Sequence, residues 1–593
     1  MWEEDRTGTG EACPASEAAE TLESQGNAPQ RAMGLAALAA LATALGACGG
    51  GGGGGGGFSS PPPPPPPPVL NYTDTEAARF LLQAQFTATD AEILSVRTLG
   101  YGAWLNAQYG AALSQSGKAW LDSRGLNIPT AAGEYFDPTM GDWMAWHVTM
   151  NGADQVRKRL SLALSEMMVA SLSPIDGFYP PYVIAGYWDM LNANVFGNFR
   201  TLLENVTLNA AMGFYLNMKG NLKEDPATGR EPDENYAREV IQLFTIGLYE
   251  LNTDGTEKTD LLGNKTETYK QADVTSLAHT FTGWDWDYSN VVWQNVSWLP
   301  YPIPTPQFAS NPMAFDASKH SNVEVNFLGS TIPANTEGKA ALKMALDTIA
   351  NHPNVGPFFA KQMIQRLVTS NPTPAYVGRV AAVFNNNGSG VRGDLKSVWT
   401  AILTDSEART LSTDPKAGKV REPMIRWLQW ARTFTVSSAT DKWEIYDTSG
   451  GDWGLGQSPL RSPSVFNYFR PGYVPPQTAI ADNGQVAPEF QIHNETTTAG
   501  YINFLASTIQ DGYSDVKPNY APLMALVTNT QAMIDWLNLH MAANQLSTAT
   551  KATIKAALDT KTITAASPDS DKYDRIHAAV LLFMASPEFI VQK

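Results

Sequence analysis

A short segment that begins at Asp233 brings an amide, a guanidinium and a carboxylate together at helical spacing. Four of its polar residues recur at intervals of 3, 4 and 7 positions: Asn235, Arg238, Glu239 and Gln242. A helix would carry all four on one face, opposite an apolar stripe. Such a face can perform acid–base chemistry, with Glu239 as the acid or base and with Arg238 and Asn235 orienting a ligand. The alternative is a buried polar network that joins helices, in which Arg238 pairs with a carboxylate.

Histidines form a second set of candidate residues, for metal binding or proton transfer. Four of the seven stand beside aromatic or loop-rich segments: His147, His279, His320 and His493. Asp316 and His320 are spaced i, i+4, so on a helix both would reach one divalent metal ion. His279, with His320, is a candidate for metal binding or proton transfer. No contiguous metal motif is present, so a metal site requires convergence in space, and a core or capping histidine is the alternative for each.

Aromatic residues are concentrated in two long segments that are also rich in Pro, Gly and Asn, at about 285–335 and 436–497. The rings there are Trp284, Trp286, Trp293, Trp298, Tyr301 and the run from Phe466 to Tyr473. Aromatic platforms beside polar groups suit carbohydrate faces, and equally they pin long loops onto a folded body. Loops of this length in a compact protein are usually functional or lid-like.

Helical periodicity dominates the rest of the chain and predicts a mainly α fold with these two long loops and at most a small β hairpin. The best strand candidates are 291–298 and 323–328. The predicted helices lie near 75–86, 90–104, 154–171, 198–218, 233–250, 271–284, 337–350, 353–369, 374–387, 392–408, 421–435, 498–512, 531–545, 548–558 and 571–585. The basic run Arg157 to Arg159 is predicted to be a solvated helix face.

Bulk properties exclude several functions. The net charge of −17 argues against a nucleic-acid partner. The sequence has no Gly-rich phosphate loop, no G-x-S-x-G, no H-E-x-x-H and no Rossmann fingerprint, which argues against a nucleotide partner. Cys13 and Cys48 are the only cysteines, so the body that follows them has no disulfide.

The N-terminal region predicts where the protein resides. The apolar run from Met33 to Ala47 is too short to span a bilayer and resembles the signal of a bacterial lipoprotein. Leu45, Gly46 and Ala47 match a lipobox, which makes Cys48 the lipidation site. We therefore expect an N-terminal extension and signal at 1–47, a Gly/Pro-rich tether at 48–70 and a helical body at 71–593, anchored to the outer membrane or cell surface through lipid.

Six ordered segments resemble the bacterial family called domain of unknown function 1800 (DUF1800). They are Arg159–Glu166, Phe199–Leu203, Glu234–Gly247, Ala278–Trp284, Phe327–Gly329 and Ser586–Phe589. The resemblance implies a helical, commonly exported protein with no established activity, often encoded beside exported proteins that resemble sulfatases or phosphatases. The family pattern His-Asp-x-Gly-x-Lys is altered here, because Ser321 follows His320 and no lysine precedes Phe327.

These observations predict a lipid-anchored envelope protein that binds or processes a surface polymer, either polysaccharide or peptide. If the protein is an enzyme, a hydrolase is the expected class, with a divalent metal as the candidate cofactor at Asp316 and His320. The alternative is a non-catalytic assembly or scaffold lipoprotein that works with a sulfatase- or phosphatase-like partner. Convergence of Glu239, Arg238, His279 and His320 in one cleft would favour the enzyme, and their dispersal would favour the scaffold.

Overall fold

The computed structural model describes residues 72–129, 133–414 and 416–593. The described residues form 24 α-helices and only short, two-stranded antiparallel sheets, so the predicted mainly α class is confirmed. No helix among them is both long enough and apolar enough to cross a membrane. The predicted N-terminal extension, signal and tether, and with them Cys48, lie outside the described residues.

The first twelve helices are α1 (Asp74–Ala84), α2 (Asp90–Leu99), α3 (Tyr101–Tyr109), α4 (Gly117–Ser123), α5 (Thr139–Met150), α6 (Gln155–Ser165), α7 (Pro180–Asn194), α8 (Phe199–Thr207), α9 (Ala210–Tyr215), α10 (Asn235–Gln242), α11 (Gln271–Ala278) and α12 (Gly338–Asn351). The next twelve are α13 (Val355–Leu367), α14 (Pro374–Asn385), α15 (Leu395–Thr404), α16 (Ser406–Arg409), α17 (Pro423–Thr433), α18 (Ala479–Asp482), α19 (Glu495–Asp511), α20 (Ala521–Met524), α21 (Thr530–Ala542), α22 (Thr548–Leu558), α23 (Asp569–Met584) and α24 (Pro587–Ile590). Short 3₁₀ helices lie at Glu134–Phe136, His279–Phe281, Pro306–Ser310, Ala317–Lys319 and Pro488–Ile492.

The strands are β1 (Trp284–Asp285), β2 (Trp293–Gln294), β3 (Ile303–Pro304), β4 (Ala314–Phe315), β5 (Val325–Phe327), β6 (Ser330–Ile332), β7 (Lys419–Val420), β8 (Ser437–Ser438), β9 (Val516–Lys517) and β10 (Val591–Gln592). They pair as β1–β4, β2–β3, β5–β6, β7–β10 and β8–β9, all antiparallel. The two segments expected to form strands each contain one, β2 and β5, but in separate hairpins.

Helix α7 lies at the centre of the N-terminal half. Most of its residues are buried, and it packs against α4, α5, α6, α8 and α9. A helix that is apolar on all sides can only be stable when neighbours surround it completely. It begins with Pro180 and Pro181, whose missing N–H groups cost nothing in the first turn.

Gly186 on α7 allows the first long loop to reach the core. A Cβ atom at this position would lie 2.1 Å from the carbonyl oxygen of Ala309, so only glycine permits the contact. The same loop is fixed by Trp286, whose indole Nε1 donates a hydrogen bond of 2.9 Å to the carbonyl of Ala210. The loop therefore packs on the helical body through specific contacts.

The C-terminal residues pack against β7 and the end of α13. Strand β10 pairs with β7, and the Gln592 amide donates to the carbonyls of Leu367 and Val368 at 2.9 and 3.0 Å. This pairing places Lys419 of β7 beside the end of α13. The described residues all belong to one compact unit.

We expect Gly186→Ala to lower the free energy of unfolding by about 1–3 kcal/mol, because the added methyl group would overlap the Ala309 carbonyl. Urea unfolding followed by circular dichroism measures the change. Gly102→Ala in α3 is the matched control, because nothing lies within 4 Å of a Cβ there. That substitution should be neutral or stabilising by about 0.5–1 kcal/mol. Equal stability of the two variants would contradict the packing described.

Candidate functional site

The polar face of α10 joins this helix to α11. The carboxylate of Glu234 accepts hydrogen bonds from Arg238 Nη2 at 2.8 Å, from Gln271 Nε2 at 2.7 Å and from Thr275 Oγ1 at 2.6 Å. The Thr275 hydroxyl makes the largest contribution to lowering the pKa of Glu234. Arg238 also donates to Gln271 Oε1 at 3.1 Å. Arg238 therefore pairs with a carboxylate in an inter-helix network, as the alternative expected, but this network is partly exposed and not buried.

Glu239 and Asn235 make no hydrogen bond to Arg238 in the described structure. Glu239 is buried, its Oε2 has no hydrogen-bond partner among the described residues, and burial raises its pKa although Arg238 opposes the shift. Asn235 starts the helix, where its backbone N–H donates to Asp233 Oδ1 at 2.8 Å. Asn235 and Arg238 thus make separate local hydrogen bonds, while Glu239 lies within range of the Arg238 charge.

His279 and His320 approach the same corner of the first long loop. His279 Nδ1 lies 3.1 Å from Glu224 Oε2 and 3.0 Å from Ser321 Oγ. His320 is buried, and its Nδ1 lies 2.9 Å from the carbonyl oxygen of Thr282. Ser321, where this chain departs from the family pattern, thus contacts His279 directly. No side-chain hydrogen bond in the described residues links this corner to Arg238 or Glu239.

Asp316 and His320 do not share a helix, so the spacing argument for a metal site was wrong. Asp316 precedes a 3₁₀ turn of only three residues and accepts from the Ser318 N–H and hydroxyl at 2.9 and 2.6 Å. His320 follows that turn in an extended conformation. Among the described residues, no group of three or more His, Cys, Asp or Glu side chains is placed to hold a metal ion.

The aromatic residues of the first long loop were predicted either to contact carbohydrate or to pack the loop onto the body, and they fall into an exposed group and a buried group. Trp284 and Trp286 are buried and pin the loop to the body. Trp293, Trp298 and Tyr301 are about half exposed, at 49%, 46% and 49%. None of these five rings lines the cleft or the neighbouring depressions described below.

The clearest cleft lies between α13, the turn after α10 and the second long loop. It consists of two adjoining volumes of about 340 and 200 Å³. They share seven lining residues: Gly247, Leu248, Glu257, Phe358, Gln362, Pro471 and Gly472. We call these two volumes the cleft. Its apolar wall comes from Leu248 and Phe358, and its polar groups include Gln242, Gln362 and Arg470.

The cleft continues into an open groove along the second long loop. Val486 lines both the cleft and a third volume of about 240 Å³, which is also bordered by Asn371 and Lys419. Phe490 then joins this third volume to a wide, open depression beside His493. One continuous segment of chain therefore borders every part of the groove.

Six buried charged side chains lie beneath the groove, each at most 5% exposed. They are Arg159, Glu166, Arg366, Lys419, Glu422 and Glu489, and we call them the charge cluster. Glu166 and Arg366 also line the cleft, whereas Lys419 lines the third volume. The cluster therefore underlies two parts of the groove at once.

Direct contacts connect the members of the charge cluster. Lys419 Nζ lies 3.0 Å from Glu489 Oε1 and donates to the Arg366 carbonyl at 2.8 Å. Arg159 Nη2 donates to the same carbonyl at 2.8 Å, and Arg366 Nε lies 3.7 Å from Glu166 Oε2. The pairing is incomplete, because both carboxylate oxygens of Glu166 lack a donor among the described residues.

Burial shifts the pKa of two carboxyl groups of the charge cluster upward. Burial raises the pKa of Glu166 well above its usual range, and the neighbouring Glu422 carboxyl raises it further, against the opposing charges of Arg366 and Arg159. Burial also raises the pKa of Glu489. Arginines keep their protons in proteins, so Arg159 and Arg366 stay charged, while burial disfavours the charged form of the Glu166 and Glu489 carboxyl groups.

The basic run of α6 was wrongly expected to be solvated. Arg157, Lys158 and Arg159 are all buried. Arg157 Nη1 donates to the carbonyl of Asn192 at 2.6 Å, and Lys158 Nζ lies 3.7 Å from Asp154 Oδ1. Burial lowers the pKa of Lys158 to about 8. The only sequence feature that indicated their burial is that these cations interrupt an otherwise apolar helix.

Of the other two histidines of the candidate set, His147 is buried in the core and His493 is partly buried beside the open depression. His147 stacks on Trp120 with ring centroids 5.2 Å apart, and burial lowers its pKa to about 4. Burial also lowers the pKa of His493 to about 4, and the neighbouring Arg426 guanidinium adds to the shift. Both imidazoles are therefore neutral at physiological pH.

Comparison with known proteins identifies a family. A model of the family described as "Protein of unknown function (DUF1800)" matches residues 79–591, so the chain belongs to this family. No curated protein and no solved structure matches the chain.

We expect Lys419→Met to lower the free energy of unfolding by about 3–5 kcal/mol, because it leaves Glu489 as an uncompensated buried carboxylate. The double variant Lys419→Met/Glu489→Gln should recover part of this loss. Chemical denaturation of the three proteins measures the coupling. The control is Lys416→Met, an exposed neighbour whose removal should cost at most about 0.5 kcal/mol. A double variant less stable than Lys419→Met would contradict the proposed pairing.

Proposed function

We propose that this DUF1800 protein is a lipid-anchored component of the bacterial cell envelope that binds a segment of surface polymer in the cleft and its groove. The observation that carries the proposal is the series of adjoining open volumes along one loop, from Phe466 to Phe490. A compact metabolite needs one enclosed pocket, whereas a row of connected depressions suits an extended chain.

The sequence supports the location. A lipobox-like run ends at Cys48, and nine glycines and eight prolines follow it before the helical body begins. Acyl chains on that cysteine would anchor the protein, and the glycine and proline runs would separate the body from the membrane surface. A protein held in this way meets the polymers of the envelope as its nearest ligands.

The cleft favours a peptide over a polysaccharide. Its walls include Leu243, Leu248 and Phe358, which suit aliphatic or aromatic peptide side chains. Sugar faces are usually held by exposed Trp and Tyr rings, and in the described structure Trp293 and Trp298 lie outside the cleft. We therefore propose a polypeptide segment as the polymer.

A non-catalytic scaffold role is the second candidate, and the arrangement around α10 favours it. Arg238 is satisfied by Glu234 and Gln271, while His279 and His320 lie in a separate corner. No hydrogen bond among the described residues joins Arg238 or Glu239 to His279 or His320. Peptide binding in the cleft does not depend on them, and a sulfatase- or phosphatase-like exported partner could supply the bound segment.

Metabolic labelling with an alkyne fatty-acid analogue tests the anchor. We expect the full-length wild-type chain to become labelled and Cys48→Ser to remain unlabelled. Cys13→Ser is the matched control and should label as the wild type does. Equal labelling of wild type and Cys48→Ser would contradict lipidation at Cys48.

Leu248→Arg tests the cleft, because Leu248 is half exposed and lines both of its volumes. The full-length Cys48→Ser chain should co-sediment with envelope fragments of the source bacterium, and the added Leu248→Arg change should reduce the bound fraction severalfold. Leu261→Arg is the control, because Leu261 is fully exposed and outside the cleft.

Pretreatment of the envelopes identifies the polymer. Protease digestion of the fragments should abolish binding if the ligand is a peptide, whereas periodate oxidation of glycans should leave it unchanged. Binding that survives proteolysis but not periodate would overturn the choice of peptide. Identical binding by Leu248→Arg and Leu261→Arg would overturn the role of the cleft.

A further inference from the structure

Apart from the carboxyl groups of Glu166 and Glu257, every polar side chain that lines the cleft carries a hydrogen-bond donor. Gln362 Oε1 accepts from Arg366 Nη1 at 2.6 Å. Because a guanidinium only donates, this bond fixes the amide orientation and leaves the Gln362 NH₂ group free to face a ligand. Gln242 Oε1 is likewise occupied by the Tyr269 hydroxyl, which leaves a second NH₂ group at the cleft.

Two cations at the cleft have no ion-pair partner among the described residues. Arg470 is exposed, lines the cleft and lies with its guanidinium 4.7 Å above the Phe466 ring. Lys361 is exposed on α13 and lines the second volume. The one carboxylate on the exposed rim is Glu257, and Lys265 neutralises it at 2.8 Å.

Buried charged residues lie close to these donors and cations. Glu166 and Arg366 of the charge cluster lie directly beneath the cleft. The Arg366 guanidinium there keeps its charge, while burial raises the pKa of the Glu166 carboxyl and so disfavours its negative form. The protein as a whole carries −17, but charges farther than about 8 Å away are largely screened at physiological ionic strength. With Arg470 and Lys361 at its rim, the cleft is a local positive region on an acidic protein.

We propose that the cleft binds a carboxylate of an acidic peptide segment, with Arg470 and the NH₂ groups of Gln362 and Gln242 as its donors, Lys361 as a flanking cation, and Leu248 and Phe358 contacting an adjacent apolar side chain. This assignment rests on the proposed function and narrows its ligand. An arginine and two fixed amides provide more donors than a neutral peptide bond uses, and a carboxylate accepts several hydrogen bonds at once.

Fluorescence anisotropy with the full-length Cys48→Ser chain tests the assignment. The probe is a short labelled peptide that alternates Glu and Phe, and the comparison probe replaces every Glu with Gln. We expect tighter binding of the acidic probe and loss of that preference at high salt. Arg470→Gln should lower the affinity for the acidic probe by about tenfold or more, since hydrogen bonds to charged groups contribute about 1.5–3 kcal/mol. Arg470→Lys should restore part of the affinity.

Gln362→Glu is the sharpest variant. It keeps an oxygen for Arg366, so the local structure is preserved, but it replaces the free donor with an acceptor and a negative charge. The acidic probe should lose at least as much affinity as in Arg470→Gln, while the neutral probe should change little. Arg230→Gln and Lys339→Gln are matched controls, because both residues are exposed and neither lines the cleft.

The possible outcomes distinguish peptide binding in the cleft from recognition of a carboxylate there. If Leu248→Arg abolishes binding of both probes but Arg470→Gln and Gln362→Glu leave the affinity unchanged, the cleft binds peptides and the carboxylate assignment is wrong. If an oligogalacturonate competes better than the acidic peptide, the ligand is an acidic glycan and the peptide class is wrong. If wild-type protein binds neither probes nor envelope fragments, the proposed function itself fails.

Discussion

Burying six charged side chains is the constraint on which the region around the groove depends. The members of this charge cluster lie far apart in the sequence. Arg159 and Glu166 belong to α6 and its end, Arg366 to α13, Lys419 to β7, and Glu489 to the second long loop. Desolvation of each charge is offset only when the opposing groups are in place. The helices, the strand and the loop must therefore assemble together, and an error in any one leaves a charge unpaired in the interior.

The same constraint shapes the groove. Glu489 ties the distal part of the second loop to Lys419, while its proximal part is held by two parallel hydrogen bonds of 2.7 Å from Arg461 to Asp142. Burial raises the pKa of Asp142 to about 6 although Arg461 opposes the shift. Between these anchors the loop presents Phe466 and Arg470 to the cleft. A wall held at both ends loses little conformational entropy when a ligand binds, which favours binding to a preformed surface.

The sequence predicted those helices whose faces differ in polarity. The segments 337–350, 353–369 and 374–387 agree closely with α12, α13 and α14. Helices α5 and α7 escaped prediction because they are apolar on nearly all sides and so show no periodic contrast. The expected helix at 233–250 stops at Gln242, where the chain turns toward Gly247 at a φ of 75°. The basic run of α6 was misjudged because the groups that accept its hydrogen bonds lie on other elements.

The candidate site shows where such reasoning reaches its limit. Of the polar face of α10, the member that lines the cleft is Gln242, at the end of the helix, and not Arg238 or Glu239. Spacing identifies which residues share a face, but it does not say which part of the face a neighbouring helix covers. Here Thr275 and Gln271 of α11 cover the first turn by bonding Glu234. The last turn stays open, and the donors that complete the cleft come from α13 and a loop more than a hundred residues away, which only the folded arrangement brings together.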